Sequence, residues 1–170
     1  MTVHIENLIH TEVRGRVGCI TLNRPKALNA LSLPMIRSLT AVLRGWRDED
    51  RGLAVAIRGM GKEGPFGAFC AGGAIPVFPG AALAGAPHLE DLFTPGNAPN
   101  HLLHPFPNPH IAVLDGICMG GGMGISQGAS LRIVTERSKL AMPETNIGLF
   151  PDVGGGYFLS RCAGHLGEYL

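Results

Sequence analysis

Residues 111–134 read IAVLDGICMGGGMGISQGASLRIV, and this stretch sets the fold class. Ile111-Ala112-Val113-Leu114 is a short apolar run of the buried-strand type. Gly120 to Ala129 follows as a glycine-started helix of small residues, and Leu131-Arg132-Ile133-Val134 is the next strand. Outward from there the alternation continues. Lys139 to Met142 reads as a short strand, and Gly167-Glu168-Tyr169-Leu170 as the start of a helix. Upstream, Leu53 to Gly59 is another buried-type strand. Before it a helix is expected from Ser32 as N-cap, with Pro34 in its first turn. Met35, Ile36, Leu39, Val42, Leu43 and Trp46 give that helix one apolar stripe, and Asp48-Glu49-Asp50-Arg51 ends it. Val13 to Leu22 reads as a hairpin turning at Gly15. The prolines from Pro76 to Pro109 are too dense for regular helices, so loops with short helical pieces are expected there. Strands alternating with helices make the class α/β, and no internal repeat is visible.

Length and composition bound the function. With 170 residues and 45% apolar content, the chain is one domain or part of a larger one, with enough apolar side chains for a core. A net charge of +1 gives no general attraction to nucleic acid or anionic membrane. No apolar run approaches the ~18 residues of a membrane span. The first residues lack the basic start and apolar stretch of a secretory signal, and the Arg-rich, acid-poor pattern of a transit peptide, so a cytoplasmic location is expected. Cys19, Cys70, Cys118 and Cys162 are far apart with no C-x-x-C pair, which favours buried, reduced thiols. Cys70, with glycines beside it, is the one candidate for a catalytic thiol.

Chemistry concentrates in two glycine runs and two carboxylates. The runs are Phe69-Cys70-Ala71-Gly72-Gly73 and Met119-Gly120-Gly121-Gly122-Met123-Gly124. The carboxylates are Glu144, in Met142-Pro143-Glu144-Thr145, and Asp152, in Phe150-Pro151-Asp152-Val153-Gly154-Gly155-Gly156. Glycine lets backbone N–H groups approach a ligand closely. Two of them aimed at one point stabilise charge developing on a carbonyl oxygen, and nearby carboxylates supply acid/base or nucleophilic chemistry. Nucleotide readings fit less well. No Gly-Lys-Ser/Thr follows the triple glycine, and Ile125 or Gln127 stands where a third dinucleotide glycine belongs. Gly59-Met60-Gly61-Lys62-Glu63-Gly64 matches G-x-G-x-x-G, but Pro65 and Gly67 occupy the place of the helix that should follow. His101 and His104 have metal-ligand spacing without an evident third ligand. Arg24 and Lys26 are available for phosphates. Glu144 and Asp152 also have bland readings, as a loop residue and a turn cap.

The motifs resemble the crotonase (enoyl-CoA hydratase/isomerase) superfamily, and within it the 3-hydroxyisobutyryl-CoA hydrolase branch. The resemblance rests on Ile20-Thr21-Leu22-Asn23-Arg24-Pro25-Lys26-Ala27-Leu28-Asn29-Ala30, on both glycine runs, and on the segment from Ala141 to Leu159. It implies a ββα spiral and an acyl-CoA thioester substrate whose hydrolysis belongs to valine breakdown. It further implies an oxyanion hole from the N–H groups of Gly73 and Gly121, and Glu144 and Asp152 as catalytic carboxylates. Backbone near Lys26, Leu28, Ala30 and Ala71 is implied to hold CoA. No metal or redox cofactor is implied, since CoA is part of the substrate. Gly124 stands where a hydratase usually carries a second glutamate. Ala74 replaces a usual Asp, and Pro95-Gly96-Asn97 replaces a Glu-Glu pair, with Gly96 in the place of a substrate-contacting glutamate. Family members run to about twice this length, so residues 1–170 read as the N-terminal part of a crotonase-like domain. The rest would complete the spiral, cover the site and build the subunit contacts of a homo-oligomer. Two competing readings are another crotonase reaction, such as hydration or isomerisation, and a chain that binds CoA or a partner without turnover.

Overall fold

The computed structural model describes residues 8–48, 54–62, 67–73 and 99–169. Strands β1 (Ile9–Arg14) and β2 (Val17–Leu22) form the expected hairpin, with Gly15 at φ 59 in its turn. The hairpin begins earlier than expected. The exposed, mixed-polarity residues of β1 carry little alternation, and its pairing with β2 is what makes it a strand. Helix α1 (Leu33–Arg47) starts after Ser32 and buries Met35, Ile36, Leu39 and Leu43. Ser32 occupies the N-cap position in extended backbone but makes no side-chain cap.

Strands β3 (Ala54–Gly59), β4 (His110–Leu114) and β6 (Leu131–Val134) pair in parallel beyond β2, giving the order β1-β2-β3-β4-β6. β3 and β4 alternate buried and half-buried residues. Val55, Ile57, Ala112 and Leu114 join the core with Ile20, Leu22 and the α1 stripe. Apolar runs that read as buried on both faces are therefore covered fully on one face among the described residues. All four residues of β6 are exposed.

A second, two-stranded parallel sheet pairs β5 (Ile117–Met119) with β7 (Lys139–Ala141). β5 has only three residues and escapes a periodicity reading. It leads directly into helix α2 (Gly121–Gln127), the glycine-started helix. The β4–β5 turn is anchored by Asp115, whose carboxylate accepts from Thr135 Oγ1 at 2.6 Å and Arg137 Nη2 at 2.8 Å. Those hydrogen bonds, the Thr135 one first, hold the Asp115 carboxyl below the usual carboxylate range. Helix α3 (Gly155–Leu159) follows the second glycine-rich turn, and α4 (Leu166–Tyr169) is the expected terminal helical piece. Within the proline-dense segment, residues 99–103 are helical. Ala74, Gly96 and most of that segment lie outside the described residues, as do Glu63, Gly64 and Pro65 of the dinucleotide-like pattern.

Candidate active site

The two glycine runs, remote in sequence, meet edge to edge. Cys70 bridges Cys118 in parallel, with Cys70 N donating to Ile117 O at 3.0 Å and Met119 N to Cys70 O at 2.9 Å. These bonds bring Gly72–Gly73 to the start of α2. A Cβ added at Gly121 would lie 3.2 Å from Gly73 N, so a side chain there would fill the gap between the loops. Among the described residues, neither Gly73 N nor Gly121 N has a backbone acceptor. Two N–H groups at one gap, with no acceptor among the described backbone, are the elements of an anion-stabilising site.

On the other flank, the loop after β2 runs against residues 70–73. Ala71 N donates to Leu28 O at 2.9 Å, and Leu31 N to Gly72 O at 2.7 Å. Leu28 and Asn29 both take left-handed backbone, at φ 49 and 57. Asn29 is the latch. Fully buried, it donates to Ala68 O at 2.7 Å and Met60 O at 3.0 Å and accepts from Arg24 N at 2.8 Å. Sequence reading did not single it out, although an asparagine before a small residue in a strand-ending loop is a common left-handed signal. Lys26 and Leu28 are exposed and Ala30 and Ala71 half-buried along this seam. Arg24 is committed locally, its Nη1 donating to Ala30 O at 3.1 Å.

Glu144 enters from a 3₁₀ turn (Pro143–Ile147) that follows β7. Its Oε1 abuts the α-carbon of Gly120, where an added Cβ would collide with it. Gly120 has φ 48 and ψ −115, a conformation that β-carbons disfavour. Glu144 Oε2 is buried with no hydrogen-bond partner. Desolvation raises the Glu144 pKa, and the nearby Asp152 charge adds to the rise. Desolvation likewise raises Asp152. Asp152 also has a structural part, because its carbonyl accepts from Gly155 N at 2.6 Å at the start of α3.

Helix α2 explains Gly124. A Cβ at Gly124 would lie 2.7 Å from Val153 Cβ and 3.0 Å from Asn100 Nδ2. The space that a glutamate would need is filled. Val153 itself has φ 44, a rare conformation for a β-branched residue. Neither Asn100 nor Val153 was picked out from sequence, since each matters only through what it packs against.

The other candidates add no chemistry to this cluster. Cys70 is buried, and desolvation pushes its thiol up to about 12, so it does not supply a thiolate at neutral pH. All four cysteines are free; Cys70 and Cys118 are buried as expected, whereas Cys19 and Cys162 are only half-buried. His101 and His104 are exposed, and among the described residues no group of three or more His, Cys, Asp or Glu side chains is placed to hold a metal. No described helix is long and apolar enough to cross a membrane.

A model of the Enoyl-CoA hydratase/isomerase family matches residues 17–170. The chain belongs to this family. The enoyl-CoA hydratase/isomerase fold is borne out by solved structures. An enoyl-CoA hydratase from Rhodobacter sphaeroides superposes with a TM-score of 0.82 at 37% identity, over 96% of this chain and 48% of that one. A carnitinyl-CoA dehydratase from Mycobacterium thermoresistibile gives 0.80 at 38% identity, over 94% and 46%. Among curated relatives, the mitochondrial 3-hydroxyisobutyryl-CoA hydrolase of Rattus norvegicus is 47% identical over 100% of this chain and 43% of its own length. Its Homo sapiens counterpart is 45% identical over 94% and 40%. The chain thus spans less than half the length of these relatives. The expected cytoplasmic location is overturned, because these relatives are mitochondrial. The expectation rested on the lack of a transit-peptide pattern in the first residues, and such a lack does not fix a compartment.

Proposed function

We propose that the chain is the N-terminal, CoA-binding part of an acyl-CoA thioester hydrolase acting on 3-hydroxyisobutyryl-CoA or a close hydroxyacyl thioester, a step of valine breakdown. The observation that carries this reading is Glu144. Its carboxylate lies against Gly120, at the mouth of the gap between Gly73 and Gly121, with one oxygen buried and unpartnered. In this reading the Gly73 and Gly121 N–H groups hold the thioester oxygen as it gains charge. Such a donor is worth ~2.7–4 kcal/mol of barrier. The oxygen of water adds to the carbonyl carbon, the C–S bond breaks, and CoA leaves as the thiol with the free acid as the other product. In this direct route Glu144 and Asp152 provide the proton transfers as general base and acid. In a two-step route one carboxylate adds first, and the C–S bond breaks to release the CoA thiol and leave a mixed anhydride. Water then opens the anhydride to the free acid and the carboxylate. Backbone around Lys26, Leu28, Ala30 and Ala71 holds the CoA. The hydrolase names of the curated relatives support this reading, and their mitochondrial location suits the same compartment. The filled space at Gly124 favours it over simple hydration, although the structural neighbours include hydratases.

The test is release of free thiol from 3-hydroxyisobutyryl-CoA by the full chain, with calorimetric titration of CoA alongside. Hydrolysis is expected and should be abolished by Gly121→Val, whose side chain would fill the gap beside Gly73 N. Absence of both thiol release and binding heat on folded protein overturns the reading. So does a Gly121→Val variant that keeps its activity.

A further inference from the structure

Val153 is the strained residue beside the site. Its φ of 44 lies in the left-handed region, which a β-branched side chain rarely adopts. Gly154, Gly155 and Gly156 follow at once, and Gly154 takes φ 90. A fourth glycine would hold the Val153 backbone without strain. Such strain persists only where the surrounding structure over-determines it, so it is the side chain that this position needs. That side chain is half-buried and packs against the core. Its Cβ and Cγ2 come within 2.7 and 2.9 Å of where a Gly124 Cβ would stand, so it seats directly on the backbone of α2.

The seat fixes a carboxylate. Asp152 is the preceding residue, and its carbonyl accepts from Gly155 N at 2.6 Å, which closes the turn over Val153 and Gly154. The far end of the turn is pinned as well. A Cβ at Gly155 would lie 2.9 Å from Pro151 Cβ and 3.2 Å from Met142 Cε, and buried Met142 stands two residues before Glu144. Asp152 is close enough for its charge to raise Glu144. Helix α2 begins at Gly121, so one short helix carries both the Gly121 N–H and the seat of Val153. We propose that Val153 is a positioning residue: wedged on Gly124, it sets Asp152 in register with Glu144 and with the Gly121 end of α2. This deepens the thioesterase reading and rests on it for the part Asp152 plays.

The test is a double-mutant cycle on the full chain with Val153→Gly and Asp152→Asn. Val153→Gly relieves the backbone and removes the wedge. For thiol release from 3-hydroxyisobutyryl-CoA it should lower kcat ~10–10²-fold with little change in KM, because a displacement of ~1 Å in a reacting group costs up to ~10². In the Asp152→Asn background the same substitution should have no further effect on kcat. A second readout needs no turnover. Carboxyl NMR titration should show the Glu144 pKa falling toward its ordinary value in Val153→Gly, and no such fall when Asp152→Asn is already present. Additive effects in the cycle overturn the proposal, because they mark Val153 as a packing residue only. A Val153→Gly variant with wild-type kcat and titration overturns it too. Val153→Ala, which keeps Cβ and loses the Cγ2 contact, takes the place of Val153→Gly if melting shows the latter unfolded. Unfolding of both overturns the proposal by making the valine a stability residue. A coupled titration in a protein that releases no thiol refutes the thioesterase and leaves the placement of Asp152 by Val153 standing.

Discussion

Replacing Gly120 with alanine separates backbone strain from displacement of the Glu144 carboxylate. Gly120 sits at φ 48 and ψ −115, where an L-residue is strained by ~1–3 kcal/mol. For a chain of this size each kcal/mol lowers Tm by ~2–4 °C, so a fall of ~2–12 °C is expected. The added Cβ also lands on Glu144 Oε1. That oxygen is the tip of a flexible side chain, so it swings aside at small cost to stability. It cannot do so without leaving the gap beside Gly121. A shift of ~1 Å in a positioned group can lower the rate ~10²-fold. Gly164→Ala provides the comparison, since Gly164 has φ 58 but open space around its Cβ. Calorimetric melting and thiol release on the full chain should show both variants destabilised, and only Gly120→Ala inactive. Equal activity in the two variants would refute the placement of Glu144 against Gly120 as the basis of catalysis.

Two further outcomes follow from the polar groups. The folded-state pKa values of Glu144 and Asp152 are raised. Their stabilising contribution is therefore complete below the ordinary values of 4.5 and 3.8 and is lost as pH rises through the raised ones. Glu144→Gln should thus raise Tm at neutral pH and lose that advantage in acid, while kcat falls ~10²-fold or more; a Tm that drops at neutral pH contradicts the desolvated carboxylate. Asn29→Ala should cost ~3 kcal/mol or more by orphaning Met60 O, Ala68 O and Arg24 N, and should weaken CoA binding through the loosened Leu28–Ala71 seam. Melting and CoA titration check it, and wild-type values in both would show that Asn29 is not the latch.

Most of the fold was legible because it is written in local patterns. The α1 stripe, the apolar runs at β3 and β4, and the glycine-started α2 each announce themselves within a few residues. β5 was not legible, since three residues show no period and its partner β7 lies some twenty residues away. The exposure of β6 was equally invisible, because an apolar run does not say what covers it.

The sequence by itself determined the α/β class, the two glycine runs and the two carboxylates, because backbone freedom and titratable chemistry are properties of residue types. The family resemblance already pairs Gly73 with Gly121, but only the tertiary structure decided that Glu144 closes on Gly120 and that Val153 and Asn100 fill the space at Gly124. Those relations join residues far apart along the chain. They depend on which strands pair and on how closely two helices approach, and neither is encoded in any one window of sequence.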